Sequence, residues 1–443
     1  MQTASEIAAA VRDGTLSPID AVQQALDRID AVESQIHAWV ELDRKGALRQ
    51  ANDIAQFDPF SLPLAGVAVG IKDIVDVAGL PTRLGAGAFA HYTPDSDATV
   101  VARLRAAGAI ILGKTHTTEF AYLDPAPTCN PWDRGHTPGG SSSGSAAAVG
   151  ARTISLAIGS QTVGSVLRPA AYCGCVGLKP TYGLISYAGT ANLASSFDHL
   201  GILTDNVADA ALALGTLVGK DRFDANSIEA PEADYIAAAA SPAPPRLGLI
   251  RSYYQEHAGE ETNRHLDAVV HILRMAGATV ENAEMPADAA FIRAAADPIM
   301  KHEAAQTHDA LYDAHANEYR DGIKALVAAG RETSRDDYEA AIEVIAGLRD
   351  GIIETLNGFD ALIFPVAPGT APAGLETTGN GIFCAPASFA GLPAISLPSG
   401  ITDDGLPLAI QLMSAPLAEP ALLRAAAWVE TALGFEAQPD IAP

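Results

Sequence analysis

The sequence predicts an α/β protein whose sheet is largely parallel and covered on both faces, and three stretches carry that prediction. In "PLAGVAVGIKD", from Pro63, residues Val67, Val69 and Ile71 alternate as in a strand that ends at Lys72. "DATVVARLRAAG" then reads as a helix closed by Gly108 and leads into the apolar "AIILGK", which completes a βαβ unit. Near the C-terminal end, "DALIFPVAP" and "LPAISLPSG" restore strand character.

The remaining segments are placed around that frame. Residues 3–56 show apolar spacings of three and four (Ile7, Ala10, Val11; then Ile19, Val22, Ala25, Ile29), which suits two amphipathic helices within an N-terminal helical cap, 1–60. The core spans 61–215. The Ala/Pro-rich stretch 225–245 reads as a connector, and 286–358 as several helices, so 216–358 is expected to be a mainly helical insertion. Strand material on both sides of it favours one sheet completed by 359–443 over two tandem domains. No internal repeat or low-complexity tract is visible.

Composition narrows the function. With 443 residues, 48% of them apolar, the chain can bury a large core. No apolar stretch approaches the ~18 residues that span a bilayer, and the acidic, helix-periodic start does not resemble a signal peptide. A cytoplasmic protein without membrane association is expected. A formal charge of −25 argues against direct nucleic-acid binding. Cys129, Cys173, Cys175 and Cys384 are too scattered for a disulfide framework or a zinc site and read as small buried residues.

The stretch most suggestive of chemistry is "GGSSSGSAAAVGARTISLAIGSQTVGS", Gly139 to Ser165. Gly140 to Gly144 fits GxSxG, the nucleophile elbow, with Ser142 at its centre. The helix leaving it is present as "SAAAVGA", but the strand entering it is not, since "DPAPTCNPWDRGHTPG" is loop and Pro138 lacks a donor. The late histidine of that fold is missing as well, the last being His315. A phosphate loop would need GK[ST], and "GAGAFA" (Gly85 to Ala90) follows no strand, so neither nucleotide motif holds. A serine nucleophile here needs another base, and a lysine serves if burial keeps it neutral. Of seven lysines, Lys72, Lys114 and Lys179 each end an apolar or glycine-rich run, and the residues alone do not choose among them.

The motifs "GIKD", "GKTHTTEFAY", "CNPWD", "PGGSSSGSAAAV", "GSQTVGS", "GCVGLKPTYG", "SSFDHLG" and "FAGLPAISLPSG…GLPLAIQLM" resemble, in order and spacing, those of the amidase signature family. The resemblance is dense over 63–215 and looser over 359–430. It implies a large mixed, twisted sheet flanked by helices in one compact domain, and a Ser–cis-Ser–Lys triad. Its lysine falls on Lys72, its bridging serine on Ser141 and its nucleophile on Ser165. It also implies a supporting shell of Gly139, Gly140, Gln161 and Asp198, and an oxyanion hole from the backbone N–H groups of Thr162, Val163, Gly164 and Ser165. No metal or organic cofactor is implied.

The sequence departs from the family where the usual "GTDxGGS" loop becomes "GSQTVGS". Ser160, Gln161 and Val163 replace Thr, Asp and Gly, and Leu167 stands where Arg is expected, with Arg168 beside it. Either this is drift, or the loop is held by neutral hydrogen bonds and narrowed by Val163. His116 stands where Asn is common. Phe120, Tyr122, Phe197 and Phe383 fall in segments that border the pocket in relatives, which favours an apolar or aromatic substrate, although each also suits a core. The resemblance thus implies a monomeric or homodimeric hydrolase of a small aryl or alkyl amide, extending to carbamates (urethanes) and esters. The alternatives are a glutaminase subunit of a tRNA-dependent amidotransferase and a urea-, allophanate- or biuret-type hydrolase.

Overall fold

The computed structural model describes residues 1–56 and 61–441; positions 57–60 of the expected N-terminal cap lie outside the described residues. Eleven strands form one mixed sheet. They are β1 (Trp39–Leu42), β2 (Ala68–Lys72), β3 (Ile110–Thr115), β4 (Leu156–Gln161), β5 (Val176–Lys179), β6 (His199–Thr204), β7 (Arg246–Ile250), β8 (Thr279–Ala283), β9 (Ala361–Pro365), β10 (Ala394–Ile401) and β11 (Pro407–Met413). Their order is β1-β3-β2-β4-β6-β5-β10-β11-β9-β7-β8. Parallel pairs β3-β2-β4 and β9-β7-β8 flank an antiparallel centre.

The strands are buried runs rather than clean alternations because helices cover both faces: every residue of β2, β3 and β4 is buried. The βαβ unit is present as β2, the helix Thr99–Ala106 and β3, with Gly108 at φ +87° just past the helix end. The chain then passes from β3 across β2 to β4. That crossing makes the carboxyl ends of these three strands a topological switch point, where open sheets leave a crevice for ligands.

Two expectations are corrected. Residues 1–56 form three helices and a strand: β1 pairs antiparallel with β3 and ends the sheet. β1 has four residues, three of them only half-buried, so no period-two pattern marks it. The segment 216–358 is also not simply helical, because it contributes β7 and β8, the opposite edge of the sheet. A short helix, Tyr235–Ala239, lies within the expected connector. Three long helices, Ala289–His315, Asp321–Glu332 and Arg335–Thr355, occupy the predicted helical stretch. No helix among the described residues is long and apolar enough to cross a membrane, and all four cysteines are buried and free.

Candidate active site

Lys72 is the last residue of β2 and has no exposed surface. Its Nζ donates to Ser141 Oγ at 2.6 Å and to Ser160 Oγ at 2.8 Å, and no carboxylate pairs with it among the described residues. Burial drives it well below the ordinary lysine value; Asp198 opposes that shift and Arg168 adds to it. A neutral amine is the result, a base whose lone pair faces a hydroxyl.

Ser141 is held by the glycine-rich loop. Gly139 has φ +80°, and a Cβ there would lie 2.8 Å from Pro169 Cα, so only glycine fits both the conformation and the approach. The Gly140–Ser141 peptide is cis. Arg168 donates to the Gly140 carbonyl at 2.6 Å and to the Gly379 carbonyl at 2.8 Å, tying this loop to a segment more than two hundred residues away. Ser142, the elbow candidate, is a zipper residue: its Oγ donates to the Ser160 carbonyl and accepts from the Ser160 N–H, both at 3.1 Å.

Ser165 lies past β4 on the loop that leads into the helix Leu167–Cys173, and it lines a cavity of about 510 Å³ together with Thr162, Val163 and Gly164. Its hydroxyl makes no hydrogen bond among the described residues, so the Ser141 and Ser165 side chains are not directly joined. Their loops are, through Ser142 N–H to Ser165 C=O at 3.3 Å. Catalytic hydrogen bonds of this kind commonly tighten once substrate is bound. The N–H groups of Val163, Gly164 and Ser165 donate to no group among the described residues, which leaves them free for an oxyanion.

The supporting shell is neutral where the family uses charge. Gln161 Oε1 accepts from the N–H groups of Val166 (2.8 Å) and Leu167 (3.0 Å), while its Nε2 donates to Ser388 Oγ at 2.9 Å. Ser388 in turn donates to the Val163 carbonyl at 2.6 Å. Positions 161 and 167 therefore meet through the backbone of Leu167, whose side chain lies in the core. Asp198 accepts from Thr162 Oγ1 at 2.6 Å and from the N–H groups of Leu193 and Ala194, and burial pushes it up to about 7. His116 serves through its backbone: its carbonyl accepts from Gly144 N–H, and burial lowers its ring to about 4.

Of the four aromatic pocket candidates, only Tyr122 lines this cavity. Phe120 is stacked on Tyr319 and edge-on to His308, Phe197 packs against Phe389, and Phe383 against Tyr254, all buried. Being long, apolar and able to pack ring to ring, they complete the core instead. The lining includes two residues the sequence did not single out for it, Arg168 and Arg293. Arg168 was visible only as the neighbour of a missing arginine, and Arg293 sits in a helix with no motif around it.

A buried uncharged lysine, a serine bridge and an exposed serine under free N–H groups define a serine hydrolase without histidine. The Amidase family profile matches residues 20–423, and the chain belongs to that family, the amidase signature hydrolases of carbon–nitrogen bonds. It is 34% identical to a glutamyl-tRNA(Gln) amidotransferase subunit of Geobacter sp. (strain M21), over 93% of each chain. Among solved structures it is similar to a 6-aminohexanoate cyclic dimer hydrolase (26% identity, 99% of each chain, TM-score 0.90). A native peptide amidase from Stenotrophomonas maltophilia is 28% identical, with 99% of this chain and 98% of that one covered and a TM-score of 0.87.

Proposed function

We propose that the protein hydrolyses the C–N bond of a small amide through an acyl-enzyme on Ser165. The observation that carries this reading is Lys72, buried, held neutral and hydrogen-bonded to Ser141 beside a cavity lined by Ser165. Ser165 Oγ attacks the carbonyl carbon while its proton passes through Ser141 to Lys72. The oxyanion is met by the N–H groups of the 162–165 loop, an arrangement in which one essential donor is worth about 3–4 kcal/mol. The same relay returns the proton to the nitrogen as the C–N bond breaks, because an amide anion is too poor a leaving group. Water then takes the amine's place, and the ester to Ser165 is hydrolysed to acid and free enzyme. Activated esters and carbamates present the same carbonyl and fit the same steps.

The test is a pair of serines. Ser165→Ala should abolish turnover of a 4-nitroanilide and covalent labelling by a fluorophosphonate. Ser142→Ala should keep the labelling while losing about 1–3 kcal/mol of stability, since it leaves the buried Ser160 N–H unpaired. Labelling that maps to Ser142 would overturn the assignment.

A second reading, the glutaminase subunit of an amidotransferase, is favoured by the names of the curated relatives. Ammonia released from glutamine faster than from simple amides, or a partner protein that co-purifies, would support it over a free-standing hydrolase.

A further inference from the structure

The cavity beside Ser165 has an unusual charge for this protein. The sequence carries 53 acidic residues against 28 basic, yet no Asp or Glu lines the cavity among the described residues. Its charged side chains are Arg168 and Arg293. Arg168 is 7% exposed, has no carboxylate partner among the described residues, and its buried Nε has no hydrogen-bond partner at all. Two backbone carbonyls satisfy part of the guanidinium but leave its charge uncompensated, a costly state for a buried group.

Arg293 is paired, but incompletely. Its partner Asp297, one turn along the same helix, also takes Lys301 at 2.9 Å, so two cations share one carboxylate. Arg293 also lies over the Phe389 ring, which fixes its stem while leaving the guanidinium part-exposed. Tyr122 completes this wall. Burial raises its phenol, so it remains a hydrogen-bond donor at neutral pH. Asp198 lies behind Thr162 and lines a different cavity.

We propose that the substrate is an amide bearing a carboxylate, bound by Arg168 and Arg293 inside this cavity. The inference rests on the amidohydrolase reading and narrows its substrate to monoanions. Two arginines supply planar, charged donors for a carboxylate. The lining offers no acid to pair with an ammonium, so a zwitterion such as glutamine binds less well than the same acid without its amine. Arg168 does two things at once: it fixes the Gly140 carbonyl and supplies positive potential next to the reacting serine.

Three substrates with one leaving group test this: the mono-4-nitroanilide of glutaric acid, its methyl ester, and the γ-4-nitroanilide of glutamate. A charged hydrogen bond is worth about 1.5–3 kcal/mol, so the acid should exceed the ester in kcat/KM about tenfold or more, with the zwitterion below the acid. Arg293→Gln should shrink that ratio through KM, and Arg293→Lys should restore most of it. Equal rates on acid and ester, or equal losses on both in Arg293→Gln, would overturn the proposal. Protection of Ser165 from fluorophosphonate labelling gives a readout that needs no turnover: the acid should protect at lower concentration than the ester, and equal protection counts against it. Labelling without carboxylate preference sinks this inference alone, whereas absence of both labelling and turnover sinks the amidohydrolase reading beneath it.

Discussion

Lys72 and Lys114 lie on neighbouring parallel strands, one residue out of step, and neither has exposed surface. Because side chains alternate along a strand, the two point to opposite faces of the sheet. Lys114 meets a carboxylate, pairing with Asp73 at 2.9 Å and donating to Thr82 Oγ1 at 2.8 Å. Lys72 meets two serine hydroxyls and no countercharge within reach. Burial lowers both lysines, but only Lys114 has a bonded carboxylate opposing the shift. Burial alone therefore does not make a base; burial without a paired acid does. Lys179, also buried and lowered to about 7, donates only to the Pro180 carbonyl and has no hydroxyl to deprotonate.

The contrast is broken most severely at Lys72. Lys72→Ala should lower amide turnover by roughly 10²–10⁴-fold, the usual worth of general acid–base catalysis, and nitrophenyl ester turnover much less, since nitrophenolate leaves without a proton. Equal losses on matched amide and ester would remove Lys72 as the proton carrier. Lys114→Ala should do the reverse: a loss of about 3–5 kcal/mol in denaturant unfolding, from stranding Asp73, with the ester-to-amide ratio of the folded enzyme unchanged.

The smallest effect separates the two lysines by pH. Lys72's value is lower in the folded protein than the ~10.4 of an unfolded chain, so between those values the unfolded state binds the extra proton and stability rises with pH. Lys72→Met should flatten that rise by up to about 1.4 kcal/mol per pH unit, seen in unfolding curves between pH 7 and 9. An unchanged slope would mean that Lys72 is protonated in the fold.

Why the sequence could not separate these lysines follows from the same geometry. "GIKD" and "AIILGK" look equivalent as apolar runs ending in lysine; their partners, Ser141 and Asp73, are distant in one case and adjacent to the other lysine in the second. Strands with long apolar runs, such as β3, β9 and β10, were legible, whereas β1 and β8 were not: β1 is short and half-exposed, and "TVENA" is mostly exposed. The expected triad positions fell within linked motifs. The cavity wall did not, because Arg293 and the 377–382 segment reach it only through tertiary packing of distant elements. Aromatic residues in the right segments were misleading because large rings satisfy a core as readily as a pocket.

Ser388 has a consequence for how the molecule comes into being. It joins Gln161 and the Val163 carbonyl across more than two hundred residues, and β10 supplies the antiparallel partner of β5 at the centre of the sheet. Contacts of such long sequence separation form late in folding, after their loop-closure entropy has been overcome. Since chains emerge from the ribosome N-terminus first, a nascent polypeptide already displaying Lys72, Ser141 and Ser165 still lacks the residue that latches its oxyanion loop. The enzyme is born latent, and its reactive serine is armed only when the chain's last third arrives.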